Sequence, residues 1–349
     1  GRVNELFTLQ DRLVDDLRAV FEGGQATTAA MAPVAIAIAD PPIARQAPAD
    51  TAPRGRSDAT SFRSLVIDGP SAPEPPATIN RDANGQATVR AIPLTAPLQI
   101  DGTLDEAVYE TIQPFSGFIQ QLPDEGDPAT ERTDAWIFFD DQNVYVSGRL
   151  WDSAPESQWV ANEMQRDSRQ LINNERFSVA FDTFYDRRNA VVFMVNPIGG
   201  FYDHEITDEG QPNADWNPVW DVRTGRFDGG WTVEMAIPFK SLRYQRGSSQ
   251  LWGVQVARRI RWKNESAYLT PVPMSAGPGL FRVSAAATLT ELEVPPNSRR
   301  LEVKPYAIGS LATDVNTVPA ITNEGAADFG VDVKYGVTQN LTAAFTYNT

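Results

Sequence analysis

Short segments in which apolar and polar residues alternate follow one another from about residue 91 to residue 262. This alternation constrains the fold more than any other feature. The segments WIFFD (136–140) and NVYVSGRLW (143–151) flank a short Asp-Gln turn, an arrangement typical of a β-hairpin. In GWTVEMAIPF (230–239), every second residue from Trp231 is apolar. Because side chains of a strand point alternately to its two faces, many such segments predict an all-β, antiparallel β-sandwich.

The tryptophans follow the same alternation. All eight lie between Trp136 and Trp262. Trp136, Trp231 and Trp252 have strand periodicity, and Trp262 shares a face with Trp252, so we expect them in the core. The tryptophan-rich region therefore predicts the extent of one domain, residues 91–294.

Two different segments precede this domain. Residues 1–24 contain leucines at helical spacing, an N-cap candidate in Asn4 and a Gly-Gly stop, which predict a short amphipathic helix. Residues 25–90 are rich in Ala and Pro, a composition that predicts a disordered linker. Because the chain begins with Gly1 rather than Met, we expect it to be a fragment or a processed form.

A third pattern begins at residue 295. The stretches 299–312, 328–337 and 340–348 are longer alternating segments with Gly and aromatic residues. Strands of about ten residues with one apolar face are typical of outer-membrane β-barrels. Residues 295–349 therefore predict the first strands of a truncated barrel, although soluble hairpins have the same periodicity.

The composition excludes several functions. The chain has 45 acidic and 30 basic side chains, a formal charge of −15, and no cysteine. This charge disfavours a nucleic-acid partner, which needs cations for phosphate contacts. Without cysteine there are no disulfides or thiolate metal sites, and a single histidine, His204, excludes a multi-histidine metal site.

Sugar binding needs exposed aromatic faces beside planar polar groups. The segment DWNPVWD (215–221) offers Trp216 and Trp220 together with Asn217 in a turn-rich stretch. Trp159 lies among polar residues, and Arg176 could hydrogen-bond sugar hydroxyls. These five residues are the predicted carbohydrate site. Trp220 has an alternative role, because it begins a strand and could close the core.

The segment YDHEITDEG (202–210) is the candidate metal site. Asp203, Glu205 and Asp208 carry hard oxygen ligands of the kind that calcium prefers. Their spacing does not match a known calcium loop, so a solvated acidic loop is the alternative. Calcium is the only cofactor for which these residues suggest a site.

Three segments resemble family 9 carbohydrate-binding modules: IDGTLDEAVYE (100–110), TERTDAWIFFDDQNVYVSGRLWDS (130–153) and GGWTVEMAIPFKSLRY (229–244). The chain departs from this family at LINNE (171–175), where relatives carry a tryptophan. Residues 181–200, 251–268 and 332–348 resemble an uncharacterised bacterial group in which such a domain precedes an outer-membrane barrel.

These resemblances imply a β-sandwich that binds a polysaccharide or oligosaccharide, often with a structural calcium. They imply a non-catalytic surface module at the bacterial outer membrane, linked to carbohydrate catabolism. Three alternatives remain open. The sandwich could be a plug or docking domain of the barrel, or it could bind haem through His204 with Met194 or Met164. It could also act in association with a glycosyl hydrolase.

Overall fold

The protein is described from a computed structural model, which covers residues 66–245, 247–295, 301–314, 321–336 and 342–348. The helix predicted for residues 1–24 and the first part of the predicted linker, residues 25–65, lie outside the described residues.

The described residues form three β-sheets and one short α-helix, α1 (Ala107–Thr111). The strands, in chain order, are β1 (Ile79–Arg81), β2 (Ala87–Arg90), β3 (Ile92–Pro93), β4 (Ile119–Leu122), β5 (Thr133–Phe139), β6 (Asn143–Trp151), β7 (Arg176–Asp182), β8 (Ala190–Val195), β9 (Phe201–Ile206), β10 (Pro212–Asn213), β11 (Asp221–Phe227), β12 (Gly230–Pro238), β13 (Ser249–Ile260), β14 (Glu265–Tyr268), β15 (Ala287–Glu293), β16 (Leu301–Asp314), β17 (Ile321–Gly336) and β18 (Thr342–Asn348).

Two of the sheets face each other as a sandwich. The first has the strand order β1-β2-β15-β13-β7-β8-β9-β10, with β14 and β4 paired beside β13. The second has the order β11-β12-β6-β5-β3. Nearly all neighbours are antiparallel; β2 with β15 and β3 with β5 are the parallel pairs. The prediction of an antiparallel β-sandwich is confirmed.

The core between these sheets comes from alternate residues of both. Trp231 and Val233 of β12 and Trp252 and Val254 of β13 all belong to one buried apolar cluster. Trp136 is also buried, but in a separate cluster on the outer side of the second sheet, beneath α1. The sandwich is therefore stabilised by the apolar positions that alternation predicts.

The predicted boundary at residue 90 is wrong in position. Residues 79–81 and 87–90, which the sequence analysis assigns to the linker, form β1 and β2, and Val89 is fully buried. Upstream of them, Asp68 forms an ion pair with Arg187 at 3.5 Å. The Ala/Pro composition did not predict these strands, because both are short. Strand β1 pairs with β2, and β2 pairs in turn with the distant strand β15.

Two of the three segments that resemble family 9 modules, 100–110 and 229–244, are joined by one buried carboxylate. Glu234 of β12 accepts hydrogen bonds from the backbone amides of Asp101 and Gly102 and from the Tyr109 hydroxyl. Gly102 has φ +89°, and a Cβ there would lie 2.7 Å from the backbone of Thr224. The hydrogen bonds of Glu234 therefore hold the Asp101-Gly102 turn and α1 against the second sheet.

The third sheet has the order β16-β17-β18 and is antiparallel. The strand register places Val303, Phe329 and Tyr347 on one face of this sheet, where each is more than half exposed. This confirms the alternation predicted for residues 328–336. No helix among the described residues has the length and apolar character needed to cross a bilayer.

Candidate functional site

The eight tryptophans divide by burial. Trp136, Trp220, Trp231 and Trp252 are buried, Trp151, Trp159 and Trp216 are half-buried, and Trp262 is 38% exposed. The prediction that Trp262 shares the core with Trp252 is therefore wrong. Trp262 follows the end of β13, and its indole Nε1 donates to Asp152 at 3.2 Å, so the strand alternation no longer applies to it.

Asn217, one of the predicted sugar-binding residues, is hydrogen-bonded to an arginine, and Trp220, another, shares a carboxylate partner with that arginine. The Nη2 of Arg166 donates to Asn217 Oδ1 at 2.6 Å and to the Pro218 carbonyl at 2.9 Å. The same nitrogen lies 3.5 Å from Asp203 Oδ2, which also accepts from Trp220 Nε1 at 2.8 Å. Arg166 thus ties the loop carrying Asn217 to strand β9.

The aromatic side of this cluster surrounds Phe193. Its ring makes edge contacts with Trp216, at 5.7 Å between centroids, and with Trp220, at 5.0 Å. Trp220 is buried and hydrogen-bonded, which confirms its alternative role in closing the core. Trp216 remains half-buried and accessible. We define Arg166, Asp167, Asp203, Trp216 and Asn217 as the Arg166 site.

Two carboxylate oxygens of the Arg166 site are buried without a hydrogen-bond partner: Asp203 Oδ1 and Asp167 Oδ1. Burial raises the pKa of Asp203 to about 6, an effect that the charge of Asp167 increases and the Trp220 and Arg166 hydrogen bonds oppose. Buried polar atoms in folded proteins almost always have a partner, so an unpaired pair of acceptors marks a place for a ligand or water donor.

The other two predicted sugar-binding residues lie elsewhere. Trp159 packs against the main core, and the guanidinium of Arg226 lies 5.3 Å above its ring. Arg176 alternates along β7 with Phe177 of the main core, so it points to the outer side of the first sheet. Asp203 points inward, because its cross-strand neighbour is Phe193 of the same core. Arg176 is therefore on the opposite face from the Arg166 site.

The structure does not bring the predicted calcium ligands together. Asp203 lies in strand β9 and is fully buried against Trp220, while Asp208 lies in the following turn and pairs with Arg188 at 2.5 Å. Glu205 is half-buried. Across the described ranges, no group of three His, Asp or Glu side chains is placed to hold a metal ion. These residues do not fit a calcium site.

His204 lies in the segment that the sequence analysis interprets as a metal site or a solvated acidic loop, but the structure buries it in a strand. It belongs to β9, is 1% exposed and stacks on Tyr202 at 5.1 Å. Both ring nitrogens lack a hydrogen-bond partner, and burial together with the charge of Arg176 lowers the pKa of His204 to about 4. Of the two methionines considered as its partners in haem binding, Met194 is buried and Met164 is 63% exposed.

A second polar cluster lies around Arg258 on β13, which is 2% exposed. Its Nη2 pairs with Asp152 at 3.2 Å, and its Nη1 donates to the Arg132 carbonyl and to Thr133 Oγ1. Glu175 beside it accepts from the backbone amides of Arg261 and Trp262. Within the described part of the chain, no buried side-chain oxygen or nitrogen of Arg258, Asp152 or Glu175 lacks a partner. We call these three residues the Arg258 network.

Sequence reasoning missed Arg166 and Asp167. They lie in MQRDSRQ (164–170), a polar stretch with no motif, about 50 residues from Asn217. The hydrogen bonds that join Arg166 to Asn217 and Asp203 depend on the pairing of β8 with β9 and on the course of the loop before β11. No local signal in the sequence could have assigned these residues to one site.

Similar solved structures include two of a family 9 carbohydrate-binding module from Caldicellulosiruptor kristjanssonii, in complex with cellotriose and with glucose. They are each 13% identical, with TM-scores of 0.39 and 0.41, and cover 60% of this chain and 95% and 97% of their own. A Bacteroides uniformis protein, provisionally described as carbohydrate-binding, is 10% identical with a TM-score of 0.47, covering 60% and 99%.

No protein-family model matches this chain, and a sequence comparison with curated proteins gives no match. The sugars in the solved complexes are those of the compared proteins. The site of this chain is defined by its own side chains.

Proposed function

We propose that this chain is a non-catalytic carbohydrate-binding module whose ligand occupies the Arg166 site. The observation that carries the proposal is the pair of unpartnered, buried carboxylate oxygens on Asp203 and Asp167. Both residues contact Arg166, which is hydrogen-bonded to Asn217, the chain neighbour of the half-buried Trp216. Sugar hydroxyls are hydrogen-bond donors, and the C–H face of a pyranose packs on an aromatic ring, so one saccharide unit satisfies both features.

The protein part of the site is held in place before a ligand arrives. Arg166 is fixed by Asn217 and Pro218 on one side and lies 5.0 Å above the ring of Phe201 on the other. Lys304 of the third sheet donates to the Asn217 carbonyl at 2.5 Å, which fixes the same loop from a second direction. A pre-organised site loses less conformational entropy on binding.

Calorimetric titration with neutral oligosaccharides of glucose, xylose, mannose and galactose tests this function. We expect binding to at least one series, and a loss of about tenfold in affinity, or about 1.4 kcal/mol, for Trp216→Ala. Trp159→Ala is the matched control, because it removes a half-buried tryptophan outside the Arg166 site and should leave the affinity unchanged. Absence of binding to all neutral and acidic oligosaccharides would overturn the proposal.

The third sheet supports a proposal about location. Its exposed face carries Val303, Leu311, Phe329 and Tyr347, each more than half exposed. We propose that β16–β18 begin an outer-membrane β-barrel whose lipid side is this face, so that the module is presented at the membrane surface and serves carbohydrate catabolism there. The apolar face equally supports the alternative in which the sandwich docks against the barrel as a structural domain.

Cell fractionation of the natural bacterial host tests the proposed location. Recovery of the protein in outer-membrane fractions is expected, and recovery only in the cytosol would overturn the location. Sugar binding then distinguishes the two roles, since a purely structural domain binds no oligosaccharide while a module does.

A further inference from the structure

Three arginines lie together at one end of the first sheet: Arg176, Arg259 and Arg261. Arg176 of β7 is directly opposite Arg259 of β13 in the strand register. Arg261 follows β13 by one residue and acts electrostatically on both of the others. All three residues are partly exposed. The guanidinium groups of Arg176 and Arg259 are partly enclosed, since burial is the main reason that their pKa values are lowered. We call this group the arginine triad.

The three guanidinium groups donate their hydrogen bonds to neutral acceptors. Arg176 donates to the Ile172 carbonyl, Arg259 donates to Ser266 Oγ at 2.5 Å, and Asn264 Oδ1 accepts from Arg259 at 3.3 Å and from Arg261 at 3.0 Å. Among the described residues, none of the three forms an ion pair with a carboxylate within 4.0 Å.

The triad concentrates positive charge in one place on a chain whose net charge is −15. Arg258, the neighbour of Arg259 on the same strand, pairs with Asp152, and exposed arginines such as Arg188 and Arg223 also have carboxylate partners. Like charges placed directly opposite each other on neighbouring strands destabilise a sheet. An acidic chain with carboxylates to spare nevertheless leaves this cross-strand pair without one.

The carboxylate that acts on Arg176 and Arg259 does not neutralise them. Glu175 is 2% exposed and points to the backbone amides of Arg261 and Trp262 inside the sandwich. Burial raises the pKa of Glu175 to about 7, so a substantial fraction of it carries no charge at neutral pH. Burial, together with the charges of Arg259 and Arg261, lowers the pKa of Arg176 to about 10.

From this arrangement we infer that the arginine triad is a binding site for an oxyanion, that is, a carboxylate, sulfate or phosphate group of a ligand. The planar guanidinium groups offer paired N–H donors that match the oxygens of such a group. An anion placed among them removes the repulsion between Arg176 and Arg259. The triad lies on the outer side of the first sheet, so this site is separate from the Arg166 site.

The test measures anion binding directly. The chain is titrated with sodium sulfate, phosphate or glucuronate against sodium chloride at equal ionic strength, and the affinity and melting temperature are recorded. We expect saturable binding of at least one oxyanion by the wild type and at least a tenfold weaker affinity in Arg259→Gln. Arg223→Gln is the matched control, because it removes an equal charge from an ion-paired arginine on β11. Equal binding by both variants, or no oxyanion effect beyond that of chloride, would overturn the inference.

One further measurement, the melting temperature in chloride, separates a ligand site from a structural role. In chloride at low ionic strength, Arg259→Gln should melt at a higher temperature than the wild type, since it relieves repulsion; a lower melting temperature would show that the triad stabilises the fold. If Arg259→Gln does not fold, Arg261→Gln, outside strand β13, replaces it.

The source of the oxyanion is distinguished by comparing glucuronate with a glucuronate-containing oligosaccharide. Tighter binding of the oligosaccharide identifies an acidic glycan, and equal binding identifies a free anion. Trp216→Ala should leave oxyanion binding unchanged, so a failure of the Arg166 site and a failure of the triad are separate results.

Discussion

The Arg166 site and the Arg258 network are both clusters of arginine and buried carboxylate, yet they differ in how completely their polar atoms are paired. In the network, Arg258 and Asp152 are almost fully buried and each has several partners. In the site, Arg166 is partly exposed, and Asp203 and Asp167 each have one oxygen without a partner.

We interpret this difference in pairing as the difference between a structural cluster and a ligand site. A buried network whose atoms are all paired is complete, and a ligand could only disrupt it. A cluster with buried acceptors left over is complete only when something donates to them. Residue type alone does not distinguish the two, because both contain arginine and aspartate. In both, an adjoining tryptophan, Trp220 or Trp262, donates its indole N–H to the aspartate.

The largest expected effect is the loss of stability when Arg258 is replaced, which tests the structural role of the Arg258 network. Arg258→Met leaves Asp152 buried without its cation and should lower the free energy of unfolding by about 3–5 kcal/mol. Arg166→Met should lower it by only about 1–2 kcal/mol, since Arg166 is partly exposed. Urea unfolding of both variants measures the difference. Equal losses would show that the two clusters play the same structural role.

The second effect is a dependence of stability on pH. Burial raises the pKa of Glu175 and Glu234 to about 7 and that of Asp182 and Asp203 to about 6. Because the folded state then binds more protons than the unfolded state, the free energy of unfolding should fall as pH rises from about 4.5 to about 7.

His204 opposes this trend. Its pKa is about 4 when folded, so the unfolded chain binds more protons between about pH 4 and 6.5 and stability from this residue rises over that range. Urea midpoints at pH 5 and pH 7.5 give the net sign. Glu175→Gln should flatten the upper part of the curve and Asp203→Asn the lower part. A midpoint that rises towards pH 7.5 would contradict the assignment.

Trp216→Ala should have a smaller effect on stability, about 1–2 kcal/mol, because the indole is only half-buried. The fully buried Trp252 is the contrasting position, where the same change should cost about 3–5 kcal/mol. Thermal unfolding compares them. If both substitutions destabilise the fold equally, Trp216 is a core residue and loses its place in the proposed site.

The smallest expected effect is on the free energy of unfolding of Asp203→Asn, which should not fall as it does for an ordinary core mutation. Asp203→Asn keeps an acceptor for Trp220 Nε1 but removes a buried charge, so stability at pH 7.5 should stay equal or rise by about 1 kcal/mol. Asp152→Asn, in the completed Arg258 network, should destabilise. Equal destabilisation by both substitutions, measured by urea unfolding, would mean that Asp203 is also a completed structural residue.

Features that depend on residues close together in the chain could be predicted from the sequence, and features that depend on distant strands could not. Burial of Trp231 and Trp252 was predictable, because it depends on alternation within one strand. The exposure of Trp262 and the strands β1 and β2 were not, because they depend on where β13 ends and on pairing with β15. Trp216 and Asn217 were correctly placed together because they are adjacent in the chain.

The sequence by itself determined that the region of residues 91–294 forms a β-sandwich, since local alternation decides which face of each strand is apolar. Only the tertiary structure decided which polar residues meet. Arg166 reaches Asn217 and Asp203 across separate elements, and Arg176 lies opposite Arg259 through strand register. These long-range contacts create both the unpaired carboxylate oxygens of the proposed sugar site and the uncompensated arginines of the triad. The sequence could not show either feature, because whether a polar group lacks a partner depends on all of its neighbours in space.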